Sequence, residues 1–257
     1  MGIIRTDEWI RDHYSNPLEI CKKLTTYFPM ESSEREIYQY LRVHGMYKPH
    51  KEGEEAPLKL LPENIWRVVK KEEDRLKREW NGPSIPIFIF PVDEYNRKIR
   101  KEFNGKSGLA FKDKLFLFFS SNNSVDEIKA VFTHEYNHVC RLTKINKSED
   151  NYTLLDSIII EGLAENAVSE QCGPDQVAGW TKYYTENQVD RLWKNIIEPN
   201  QSIFKSERKH DELLYGMGFY PKMVGYCAGY YLVKRYMEKH RLECKDLFKI
   251  PSENIIK

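Results

Sequence analysis

The chain contains the run His134-Glu135-Tyr136-Asn137-His138, an HExxH pattern. On a helix, histidines at i and i+4 project from one face, a turn apart, so both imidazoles can reach one divalent ion. Glu135 is rotated by about 100° from His134, which sets its carboxylate beside such an ion rather than on it. From there it can take a proton from water and return it to a leaving amine. Further along, Glu161 and Glu165 interrupt the apolar run Leu154-Leu-Asp-Ser-Ile-Ile-Ile-Glu-Gly-Leu-Ala-Glu at i, i+4 spacing and so share a face. Ionised carboxylates in apolar surroundings are costly unless paired or coordinated. An ion held by His134 and His138 supplies the partner, making Glu161 the third ligand. Glu165, one turn on, is placed to accept a hydrogen bond from a ligating imidazole. Two His, one Glu and a position left for water describe a catalytic rather than a structural zinc site, with one Zn2+ per chain.

These residues need helices to present them. Ser124-Val-Asp-Glu127 is a capping box that opens a helix running to about Leu142 and carrying the HExxH run. Thr153-Leu-Leu-Asp156 opens the helix carrying Glu161, which Gly173-Pro174 ends. Glu161 lies twenty-three positions beyond His138, enough to finish one helix, turn and return antiparallel beside it. Gly162 would let two helices approach closely. Further helices are expected over roughly Asp175 to Ile197 and Lys222 to His240. Before them, Ile87–Phe90, Gly108–Phe111 and Leu115–Ser120 read as short strands, the last two joined by Lys112-Asp113-Lys114 as a hairpin. Leu115–Ser120 is open to two readings: an edge strand that receives an extended peptide, or a central strand, since Leu-Phe-Leu-Phe-Phe is apolar on both faces.

The first eighty residues read as helical: Trp9–Phe28, broken at Pro17; Glu34–Val43, opened by a Ser33 and Glu36 capping box; and Asn64–Trp80, ended by Asn81-Gly82-Pro83. A charged linker occupies Pro49 to Pro57. The expected organisation is therefore a helical N-terminal lobe over 1–83 and a catalytic region over 84–257. A small sheet followed by helices gives an α+β fold.

Composition narrows the class. Forty Lys+Arg against 39 Asp+Glu leave a formal charge of +1, so no strong field draws nucleic acid or anionic lipid. Sixteen Tyr, twelve Phe and five Trp can build a core. No apolar run approaches the ~20 residues needed to span a bilayer, and no secretory leader is visible. Gly2 with Thr6 fits a loose myristoylation pattern without a nearby polybasic cluster, so an ordinary N-terminus is expected. Five cysteines without CxxC spacing point to free thiols in a reducing compartment, hence the cytoplasm.

The motifs resemble those of gluzincin metallopeptidases. HEYNHVCRL, LLDSIIIEGLAE and GYCAGYYLVKRY are similar to the bacillar YjaZ-like family of predicted zinc-dependent proteases, most densely over 131–170 and 213–237, and the likeness extends over 84–257. The resemblance implies a zincin-like fold and hydrolysis of a peptide or protein substrate, with His134, His138 and Glu161 as ligands and Glu135 as base. Thermolysin-like gluzincins carry aspartate where this chain has Glu165, and their spacing from the second histidine to the third ligand differs. Gluzincins commonly supply a Tyr or His beyond the third ligand to stabilise the oxyanion. Tyr226 is the first candidate, Tyr230 the second, and Tyr220 and His210 follow. Two other readings stand beside a peptidase: a zincin-fold metal-binding scaffold or regulatory module with little hydrolytic activity, and a partner-binding protein in which HExxH is accidental.

Overall fold

In the computed structural model residues 2–49, 57–102, 104–145 and 147–257 are described; residues 50–56 of the expected linker lie outside them. The chain forms two compact units, Met1–Val139 and Cys140–Lys257. Their boundary does not coincide with the change of sequence character at residue 83.

The first unit opens with short helices whose ends follow local chemistry. α1 (Thr6–His13) and α2 (Pro17–Leu24) are separated at Pro17, which takes the first helical position of α2, where its missing N–H costs nothing. α3 (Glu34–His44) has the expected capping box, Ser33 N–H donating to Glu36 at 2.8 Å, and ends at Gly45 with φ +127°. α4 (Ile65–Trp80) ends at Asn81 in the left-handed region. Then come β1 (Ile87–Pro91), α5 (Arg97–Glu102), β2 (Lys106–Ala110) and β3 (Leu115–Phe119).

The strand order is β1-β3-β2, with β3 parallel to β1 and antiparallel to β2. β3 is thus central. Its apolar run faces the core on both sides, and the edge-strand reading of Leu115–Ser120 is corrected: the half-buried β2 is an edge. Phe88 and Phe116 stack at 4.8 Å across β1 and β3, each aromatic burying roughly 150–250 Å². The N-terminal helices share this core. Ile4 N–H donates to Ile87 O at 2.9 Å and the buried Thr6 hydroxyl to Ile89 O at 2.6 Å.

α6 (Val125–Lys144) opens with the predicted capping box, Ser124 N–H donating to Glu127 at 2.9 Å. Lys106 of β2 donates to the same carboxylate at 2.6 Å, tying the helix start to the sheet edge.

The second unit is helical: α7 (Leu154–Cys172), α8 (Glu186–Leu192), α9 (Arg208–Tyr215), α10 (Val224–His240) and α11 (Ser252–Ile255). A continuous helix over Asp175–Ile197 does not form. A 3-10 turn at Gly179–Lys182 comes first, and a new capping box, Thr185 with Gln188, restarts the chain as α8. α7 and α10 cross at glycines: a Cβ on Gly162 would meet the Gly229 carbonyl at 2.2 Å, and one on Gly229 would meet Ile158 O at 2.0 Å. The neighbour Gly162 admits is therefore α10. None of the five cysteines is in a disulfide. Among the described residues no helix is long and apolar enough to cross a membrane.

Candidate metal centre

Tyr136 fixes the heading of the HExxH helix. Its ring stacks between Trp80 at 6.1 Å and Phe132 at 5.4 Å, and its hydroxyl donates to Pro83 O at 2.8 Å. With that face held in the core, His134 and His138 emerge together, their rings 4.7 Å apart and nearly perpendicular. His138 is 9% exposed. The potential ligand atoms of His134, His138 and Glu161 all lie within 4.8 Å of one another. Two imidazole nitrogens and a carboxylate oxygen converging on a few ångströms suit zinc in both donor type and number.

Glu135 lies over β2. A Cβ at Gly108 would fall 2.3 Å from its Cγ and 2.5 Å from its Oε1, so only glycine leaves the carboxylate its place. Gly108 is a contact position that motif spacing could not reveal. Its signal was a glycine inside a strand, which often marks a close approach.

In the second unit, the oxyanion candidates separate. Tyr226 packs edge-on to Trp180 at 5.2 Å and lies 5.6 Å from the Tyr215 ring. Tyr215 shares a hydrogen bond with Tyr226; burial chiefly, and the Glu161 charge, push its phenol upward. Tyr215 thus feels the charge of Glu161 while sharing its hydroxyl contact with Tyr226. Tyr230 sits one turn on: burial raises its phenol, Ser169 bonds it, and the charges it feels are those of Glu165 and Glu238. The Glu165 carboxylate, 3% exposed, receives the Ala178 backbone N–H. Tyr220 packs on the cluster around Leu213 and Val224. His210 is committed elsewhere. Only 2% exposed, it bonds the Ser157 hydroxyl and the Asp211 carboxylate, each at 2.8 Å. That order mimics a serine-hydrolase relay, but Ser157 is itself buried, and the contact serves to fasten α9 to α7. Tyr215 was missed in the sequence because nothing in its neighbourhood distinguishes it among sixteen tyrosines.

A family model described as "Predicted Zn-dependent protease (DUF2268)" matches residues 65–257. The chain belongs to this family. It is 46% identical over 220 residues to the uncharacterized protein YjaZ of Bacillus subtilis (strain 168), covering 86% of this chain and 84% of that one. It is 22% identical over 189 residues to a second uncharacterized protein of that organism, YjfC, covering 68% of this chain and 61% of the other. No solved structure matches. The family match takes in α6 and α7, which carry His134, His138 and Glu161.

Proposed function

We propose that this protein is a zinc-dependent peptidase of gluzincin type, holding one zinc ion per chain through His134, His138 and Glu161. The observation that carries this reading is the convergence of those three ligand atoms within 4.8 Å. When bound, zinc supplies a Lewis acid that acidifies water and polarises a carbonyl. The chain's own residues do the rest. Glu135, laid over β2 at Gly108, accepts the proton of the attacking water and delivers it to the leaving amine. Tyr226, hydrogen-bonded to Tyr215, turns a hydroxyl toward the charge that develops on the carbonyl oxygen. Glu165 braces the ligand set from the next turn of α7 while holding the Ala178 N–H.

β2 suits the substrate better than β3. It is an edge strand, half-buried, and its Gly108 lies under the base, so an extended peptide added along it passes the reacting groups. The free cysteines fit a reducing, cytoplasmic setting.

The test is metal content. Untagged protein should contain one zinc per chain, and Glu161→Ala should lose it. Protein that takes up no zinc after incubation with the metal would sink the reading, and with it the value of assaying a broad peptide mixture.

A further inference from the structure

Lys114 stands in the β2–β3 hairpin turn, where a lysine ordinarily extends into water. Here its side chain is 8% exposed. Its ammonium lies 4.3 Å from the Phe111 ring centroid and 5.2 Å from that of Phe28. Drawing so flexible a side chain inward costs rotamer entropy and hydration, offset in part by the two ring faces. An ammonium has three donors. One goes to Asp113 Oδ1 at 2.9 Å; among the described residues the other two meet no acceptor.

The ammonium borders a cleft of about 530 Å³ lined by Thr26, Tyr27, Phe28, Pro29, Pro86, Asp113 and Lys114. That lies within the usual range for small-molecule sites, roughly 300–1,000 Å³. The walls are built rather than fluid. Tyr27 packs edge-on to Phe88 at 4.9 Å, and Phe28 contacts Phe111 at 6.0 Å and Phe116 at 5.8 Å, so the strand core holds the rim. The cleft belongs wholly to the first unit and uses none of the metal ligands.

Its chemistry has three parts: a buried cation with donors to spare, a carboxylate beside it that is 73% exposed, and an aromatic and prolyl wall. A simple anion would meet Lys114 but be repelled by Asp113. A simple cation would meet the reverse. We propose that the cleft binds a free apolar α-amino acid. Its carboxylate accepts from Lys114, its ammonium donates to Asp113, and its side chain lies against Tyr27, Phe28, Pro29 and Pro86. Charge-assisted pairs of this kind give specificity through geometry.

The experiment is calorimetric titration of the full chain, with a chelator present so that the metal ligands contribute nothing. The probes are L-phenylalanine, N-acetyl-L-phenylalanine and L-phenylalanine amide. Wild type should bind the free amino acid saturably and each capped form about tenfold more weakly. Lys114→Met should weaken L-phenylalanine about tenfold and erase the preference over the amide. Asp113→Asn, at an exposed position, should erase the preference over the N-acetyl form. No saturable binding of L-phenylalanine to wild type overturns the assignment, as does unchanged binding in folded Lys114→Met protein. If that variant does not fold, Asp113→Asn decides: an undiminished preference for the free amine overturns the site, and its loss supports it.

Discussion

Gly108 and Glu135 show how two residues of very different chemistry can share one close contact. The HExxH spacing made the pairing of the histidines legible because a helix has only one way to present i and i+4. Gly108 was not legible, since its importance depends on which helix passes over the strand. Tyr215 stayed hidden for the same reason: its neighbours Glu161 and Tyr226 are remote in sequence. The two parts of the pair predict different failures. Glu135→Gln should bind zinc normally and lose turnover on a peptide mixture by about a hundredfold or more; full activity in that variant would remove Glu135 from the mechanism. Gly108→Ala pushes first on the Glu135 side chain, whose Cγ lies 2.3 Å from the added Cβ, and not on backbone. It should melt within a degree or two of wild type and keep its zinc, while turnover falls by about tenfold or more because the base is misplaced. An active Gly108→Ala protein would show that the carboxylate works from somewhere else.

At the level of elements, capping boxes carried most of the legibility. Those at Ser33, Ser124 and Thr153 began helices where the sequence placed them. Another, Thr185 with Gln188, was overlooked, and the helix expected to run through it is broken there. Sheet order was harder to read, because a five-residue apolar strand looks alike at the centre and at an edge until its partners are known. The α7–α10 crossing is an exacting contact in the second unit. Gly229 lets Ile158 O come within 2.0 Å of where a Cβ would sit, and Asn166 bridges the same helices by donating to Gly162 O at 2.8 Å and Tyr230 O at 2.9 Å. Backbone cannot yield as a side chain does. Gly229→Ala should therefore lower unfolding stability by about 2 kcal/mol or more in urea melts. Since Glu161 and Tyr226 ride on the crossing helices, it should also reduce activity beyond what lost stability explains. A variant as stable as wild type would mean that the helices part easily.

Over the whole molecule, stability should follow pH through Glu127, which joins the start of α6 to β2. Burial by itself would raise this carboxyl. Hydrogen bonds from Lys106, the Ser124 backbone and Asn104, with the Lys106 charge, outweigh it and hold the group at about 2 against an ordinary 4.5. The folded value is depressed, so its contribution is complete above pH 4.5 and disappears as pH falls from there through about 2. Melting temperatures of wild type and Glu127→Gln should differ most near neutrality and converge toward pH 2; a gap that does not vary with pH would assign the pair no electrostatic role. Tyr136 carries a different consequence. The residue that clocks the rotation of α6, through Trp80, Phe132 and Pro83, is one of the two unspecified letters of the HExxH pattern itself. A protein could keep both histidines and the glutamate, lose only this tyrosine, and still match the pattern while its rings faced the wrong way. In this fold, then, possession of the motif and competence to use it are separable traits, and the one that a pattern search ignores is the one that aims the other.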